Sequence, residues 1–124
     1  MGRQLPPLDG KSVLIVEDDF LIGEDLRRMV EQAGGKAVGP AASLQLALYL
    51  ADDEELDIAL LDVRLPDGIC APLALLLAER DVPFVVVTAY EPMSLPSGLN
   101  KAPCMAKPFA RDDLVAMMVR CFRH

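Results

Sequence analysis

Four positions in this 124-residue chain carry side chains with the chemistry of phosphoryl handling: a run of acids at Glu17-Asp18-Asp19, a carboxylate at Asp62, a hydroxyl at Thr88 and an ammonium at Lys107. Each directly follows or closes a short apolar run: SVLIV (12–16) before the acids, IALL (58–61) before Asp62, FVVV (84–87) before Thr88, and CMA (104–106) before Lys107. Any one polar residue after a strand is ordinary, because strand ends are wet, and Asp19 has the ordinary job of an N-cap open to it. The set asks for more. If the first and third runs are neighbours, Glu17, Asp18 and Asp62 share one pocket, where like charges about 4 Å apart repel by a few kcal/mol at an effective dielectric near 20. A cation relieves that repulsion. Oxygen ligands without His or Cys favour a hard ion, and a site open to water and phosphate suits Mg²⁺. With the ion in place a carboxylate such as Asp62 can act as a nucleophile toward phosphorus, and Thr88 and Lys107 are suited to the charge on the transferring oxygens.

The elements that must position these groups alternate. Runs 12–16, 58–62 and 84–88 are short and apolar up to the polar residue that ends each of the last two, as expected of strands buried on both faces. KAVGPA (36–41) is a weaker strand that Pro40 assigns to an edge, and 104–106 is a short fifth. Ile22, Leu26, Met29, Val30 and Ala33 recur at helical spacing before Gly34-Gly35. Ser43 can cap a second helix with Leu44, Ala47, Leu48 and Ala51 on one face. LPDG (65–68) is a turn, Pro72 suits the first turn of a third helix ending near Arg80, and a last helix runs from Arg111 to Phe122. Alternation of this kind gives an α/β fold with one doubly wound parallel sheet, whose ligands sit at the carboxyl ends of the strands. The stretch AYEPMSLPSGLNKAPC (89–104) interrupts it: three prolines stand where another helix is due.

Bulk properties narrow the partners. A net charge of −7 disfavours nucleic acid and anionic membranes. Apolar runs of four to six residues are too short to span a bilayer, and MGRQLPPLDG has no secretory core segment. Cys70, Cys104 and Cys121 form no CxxC pair and fit a reducing cytoplasm. Residues 1–10 read as an N-terminal extension and 11–124 as the domain. Because the chain ends just after the last helix, output is expected through protein contacts or phosphate flow. That helix carries two apolar stripes, Leu114, Met117, Met118 and Cys121 on one side and Val115, Val119 and Phe122 on the other. The second stripe suggests a partner surface, including a homodimer through this helix.

In the order VLIVEDD, LLDVRLPDG, VVVTAY, AKPF, the chain resembles the receiver domain of bacterial two-component response regulators, from about Lys11 to Phe122. Four motifs in sequence are far more specific than one. The resemblance implies a five-stranded parallel sheet of order 2-1-3-4-5 flanked by helices, as in flavodoxin-like folds. It implies that Asp62 is the phosphoacceptor, that Glu17, Asp18, Asp62 and the backbone carbonyl of Arg64 hold Mg²⁺, that Thr88 is the switch hydroxyl, and that Lys107 binds phosphate ahead of a cis Pro108. A histidine kinase or phosphotransfer protein would supply the phosphoryl group, a downstream protein would read it, and the only chemistry would be the domain's own transfer and loss of phosphate. Two departures stand out. Cys104 occupies the position of the usual switch aromatic. The 19 residues from Thr88 to Lys107 are about three fewer than usual, which resembles the receivers with a fourth helix shortened or replaced by a loop, although VVVTAYE stands in place of their Phe-Ala-Thr-Gly signature. Tyr90, two residues after Thr88, can replace the missing aromatic, shield the acyl phosphate or simply pack the loop, and Arg64, beside the acceptor, can with it hinder or orient the attacking water. The alternatives are a phosphorylation-independent binding module of the same fold, or a phosphatase with an Asp nucleophile; the latter wants a second acid where Arg64 stands.

Overall fold

The structure is a computed structural model that describes residues 5–88 and 102–122. Five parallel strands form one sheet: β1 (Ser12–Val16), β2 (Lys36–Ala41), β3 (Ile58–Leu61), β6 (Phe84–Thr88) and β7 (Cys104–Ala106), in the order β2-β1-β3-β6-β7. This is the expected 2-1-3-4-5 arrangement, with β2 on the edge as Pro40 required. A two-residue antiparallel ribbon, β4 (Arg64–Leu65) with β5 (Gly68–Ile69), is interposed after β3 and turns at the LPDG sequence. Helices α1 (Phe20–Gln32), α2 (Leu44–Asp53), α3 (Ala71–Glu79) and α4 (Arg111–Cys121) complete the described elements. The 89–101 segment, with the expected loop or shortened helix, lies outside the described residues.

The apolar runs are buried on both faces because the sheet divides the core in two. Leu14, Val16, Ala59, Leu61 and Val86 point to the side covered by α2 and α3, and Val13, Ile15, Ile58, Leu60, Val85 and Val87 to the side covered by α1 and α4. Helix starts follow local chemistry. Asp19 caps α1 by accepting from the Ile22 N–H at 3.1 Å, and Ser43 caps α2 by accepting from the Leu46 N–H at 3.2 Å. At its other end α2 is closed by a distant side chain: the Arg80 guanidinium donates to the carbonyls of Ala51 and Asp52, both at 3.0 Å.

Two expectations are refined by packing. Leu8, set apart in sequence as part of an extension, is completely buried in the α1/α4 side of the core, and its N–H donates to the Ala33 carbonyl at 2.8 Å. Gly34 makes this possible: at φ +92° it turns the chain after α1, and a Cβ there would stand 2.5 Å from Pro6. Residues Pro6–Lys11 therefore strap the end of α1 to the sheet, and Lys11 lies over the Phe122 ring at 4.9 Å. Leu8→Ala is expected to cost about 2–3 kcal/mol in denaturant unfolding, as a buried large-to-small change does; a loss within about 0.5 kcal/mol would show the strap to be loose. On α4 both apolar stripes meet the same core. Leu114, Val115 and Met118 are buried, and Met117, Val119, Cys121 and Phe122 pack against them half-buried. Core packing thus takes up part of each stripe, while Val115 and Val119 also line an open cleft beside the N-terminal strap. The large apolar side chains left exposed among the described residues include Phe20 and Leu21 on α1, Tyr49 on α2 and Leu75 on α3.

Candidate functional site

At the carboxyl edge of the sheet, β1 pairs with β3 in the register Val16 to Leu61. The next residue on each strand is an acid, so Glu17 and Asp62 are brought side by side by register alone. The Asp62 N–H is fixed to the Val16 carbonyl at 2.9 Å. Carboxylate oxygens of Glu17, Asp18 and Asp62 come within 4.8 Å of one another. Glu17 and Asp62 are buried, at 2% and 8% exposure, while Asp18 faces water. Three acids at this spacing, one of them open to solvent, fit a hard divalent cation on an entry path.

Lys107 reaches this cluster from the end of β7. Its ammonium donates to Glu17 Oε1 at 2.7 Å and stands 3.7 Å from Asp62 Oδ2. The second oxygen of Glu17, Oε2, accepts from the Asp19 N–H at 3.2 Å. Glu17 is therefore held at both oxygens, and Lys107 is committed more closely to Glu17 than to Asp62. Among the described residues, only the Lys107 ammonium is seen within ion-pair reach of these three acids, which leaves the pocket negative. Burial pushes the Asp62 carboxyl up to about 7, helped by a hydrogen bond shared with Glu17 and by the charges of Glu17 and Asp18, and opposed by Lys107.

Around the acids lies a cleft of about 430 Å³ lined by Glu17, Asp18, Asp19, Ile22, Asp62, Arg64, Leu65, Pro66 and Lys107. A larger cleft of about 800 Å³, between the N-terminal strap, the end of α1 and α4, is lined by groups such as Pro6, Gln32, Val115 and Arg120 and holds no such acid cluster. Size does not mark the chemistry here; convergence of charge does.

The other expected residues fall as follows. Thr88 closes β6 fully buried at the same sheet edge, and its carbonyl accepts from the Lys107 N–H at 3.0 Å. Arg64 is exposed on the ribbon beside Asp62, and the Lys107–Pro108 bond is cis. Cys104, at the position where an aromatic was expected, is half-buried in β7 opposite Val86 and packs on the α2/α3 side of the core. Burial raises its thiol, and burial together with the Asp62 charge pushes Cys70 up to about 12, so neither thiol is poised as a nucleophile. Tyr90 lies outside the described residues. Sequence reasoning did not find Asp67, which accepts from the Leu44 and Gln45 N–H groups at 2.7 and 3.0 Å; its only sequence signal is an acid in a turn.

Comparison with known proteins gives a consistent result. The family model for the response regulator receiver domain matches residues 13–119. The chain is 37% identical over 110 residues to the transcriptional regulatory protein PdtaR of Mycobacterium tuberculosis, covering 85% of this chain and 53% of that protein. It is 35% identical over 119 residues to the positive alginate biosynthesis regulatory protein of Pseudomonas aeruginosa, covering 90% and 47%. It thus spans about half the length of the curated relatives it matches. Among solved structures, SdrG from Sphingomonas melonis superposes with a TM-score of 0.80 at 33% identity, covering 94% of this chain and 98% of that one. The response regulator PhyR from Brucella abortus superposes at 0.79 with 28% identity, covering 93% and 49%.

Proposed function

Because this chain belongs to the response regulator receiver domain family, and so to two-component signalling, we propose that it is a phosphorylatable regulator that accepts a phosphoryl group on Asp62 and signals through protein contacts. The observation that carries the reading is the meeting of Glu17, Asp18, Asp62 and Lys107 in one open cleft. In the step itself, an Asp62 oxygen bonds to phosphorus while the bond from phosphorus to a phosphohistidine nitrogen of a kinase or phosphotransfer protein breaks. Hydrolysis returns the carboxylate and releases inorganic phosphate. Mg²⁺ held by Glu17, Asp18, Asp62 and the Arg64 carbonyl would neutralise charge on the transferring oxygens. In this reading Lys107 would turn from Glu17 to the phosphoryl oxygens, Thr88 would donate its hydroxyl to them, and Arg64 and Tyr90 would hinder or orient the attacking water. The domain would act on no other substrate. Partners are a kinase or phosphotransfer protein and a downstream protein target, in the cytoplasm. No described helix is long and apolar enough to cross a membrane.

The deciding experiment is intact-protein mass spectrometry after acetyl phosphate with Mg²⁺, backed by beryllofluoride binding. Wild type should be modified and Asp62→Asn should not. If neither reagent adds to wild type, the phosphorylation-independent binding module is the better reading, one that the absence of an aromatic at Cys104 already favours for the readout.

Mg²⁺ binding should also depend on pH. A cation needs Asp62 ionised, and its carboxyl is raised to about 7. Affinity is therefore expected to be weakened about tenfold at pH 6 relative to pH 8, since each unit below the pKa costs a factor of about ten. Calorimetric titration at the two values checks this, and a flat profile would show either that Asp62 stays ionised at pH 6 or that it is not a ligand.

A further inference from the structure

The two-residue strands β4 and β5 are too short to be stable alone, so the ribbon carrying Arg64 must be held by something else. Its base is secured by the core: Leu65 and Cys70 are buried, and the Cys70 N–H donates to the Val63 carbonyl at 2.9 Å. Its tip, Pro66 and Asp67, is exposed. There Asp67 Oδ1 accepts from the Leu44 N–H at 2.7 Å and Oδ2 from the Gln45 N–H at 3.0 Å. These are the first two amides of α2, and the helix's own cap, Ser43, serves only Leu46. The start of α2 is thus capped by the ribbon from 22 and 23 residues away, with negative charge at the positive end of the helix dipole. The two hydrogen bonds hold the Asp67 carboxyl below the usual carboxylate range.

Contact is close as well as polar. Gly68 has φ +151°, and a Cβ there would lie 3.3 Å from Leu44 Cδ2, so the ribbon rests directly on the first turn of α2. At the far end α2 is tied to the end of α3 by Arg80. The helix is a strut fixed at both ends, and Asp67 is the joint at the end nearest the acids.

We propose that Asp67 is a positioning residue for the cation site: by clamping the 64–69 ribbon to α2 it fixes the Arg64 backbone carbonyl beside Asp62. The inference rests on the reading of Arg64 as a cation ligand. A ligand that must be placed within about 0.5 Å is sensitive to its supports, and removal of a supporting partner costs about 10- to 100-fold in metal affinity.

The test compares Asp67→Ala, Asp67→Asn and Ser43→Ala in the whole chain. Asp67→Ala should raise the Mg²⁺ dissociation constant about tenfold, and Asp67→Asn by less, because its amide oxygen still accepts one hydrogen bond. Ser43→Ala weakens the same helix start without touching the ribbon, so it should lower thermal stability and leave Mg²⁺ affinity within about twofold of wild type. Amide exchange at Arg64 and Leu65 in metal-free protein should quicken in Asp67→Ala and stay unchanged in Ser43→Ala. Equal weakening of Mg²⁺ binding by Asp67→Ala and Ser43→Ala, or wild-type affinity in Asp67→Ala, overturns the proposal. Failure of wild type to bind Mg²⁺ overturns the proposed function, whereas unaltered exchange at Arg64 and Leu65 overturns the clamp itself.

Discussion

Asp62→Asn is expected to do two opposite things: to abolish phosphoryl incorporation, and to make the metal-free protein more stable at neutral pH. Under the proposed function the first effect is all or none, because an amide is no nucleophile toward phosphorus. The second follows from burial. Asp62 sits 8% exposed among Glu17 and Asp18, and its carboxyl is raised from an ordinary value of 3.8 to about 7. A group whose pKa is higher in the folded state binds more protons folded than unfolded between these values. Stability is then full at low pH and is lost as pH rises from about 4 to about 7. The loss is complete above about pH 7 and on the order of 2–4 kcal/mol there, given a shift of roughly three units in a coupled cluster. Asparagine removes the charge while Glu17 keeps Lys107 and the Asp19 N–H. The variant should therefore unfold at higher denaturant than wild type at pH 8, and the difference should vanish toward pH 4. Saturating Mg²⁺ should reverse the order at pH 8, since the cation gains most from the intact cluster. Equal stability of the two proteins at pH 8 without metal would mean that Asp62 is solvated well enough to be charged at no cost, and would weaken its case as the strained acceptor.

How much of this could be read from sequence differs by interaction. Strands announced themselves because uninterrupted Val, Leu and Ile runs bury on both faces, and each run ended where polarity returned at Glu17, Asp62 and Thr88. Caps at Asp19 and Ser43 were legible because an N-cap acts within three residues. What remained hidden is long-range. Asp67 and Arg80 close the two ends of α2 from more than 20 residues away, and nothing local distinguishes an acid that caps a remote helix from an acid in a turn. Leu8 follows two prolines and belongs to no helical or strand period, so its complete burial could not be foreseen. The second stripe of α4 shows the reverse limit. Periodicity says that Val115, Val119 and Phe122 share a side, and only packing says that this side also faces the core. At the site, residue types and order were legible, while the preference of Lys107 for Glu17 over Asp62 depends on geometry across 90 residues.

That preference gives the last expected result: Lys107→Ala should destabilise the metal-free protein by about 3–5 kcal/mol, and Mg²⁺ should restore most of the loss. Glu17 has a side chain only 1% exposed, and Lys107, itself 18% exposed, supplies a close cation at 2.7 Å. Removing one partner of a buried pair leaves the other charge desolvated and uncompensated, which costs far more than the pair contributes net. The lysine also lowers the Asp62 carboxyl, so its loss raises the proton affinity of a group already near 7. A divalent ion replaces the missing positive charge at the same acids and relieves both effects. It also no longer competes with an ammonium for Glu17, so the dissociation constant at pH 8 should fall or stay level even as acetyl phosphate modification slows for want of a phosphate-binding group. Arg27→Ala serves as the control, because Arg27 pairs with Glu24 and Glu31 on the solvent side of α1 at 34% exposure. Surface pairs of that kind carry little stability, and the control should respond to Mg²⁺ as wild type does. Denaturant titrations with and without Mg²⁺ decide the matter. An equal deficit in both conditions would mean that Lys107 matters for packing along its stem, and the charge argument for the site would fall with it.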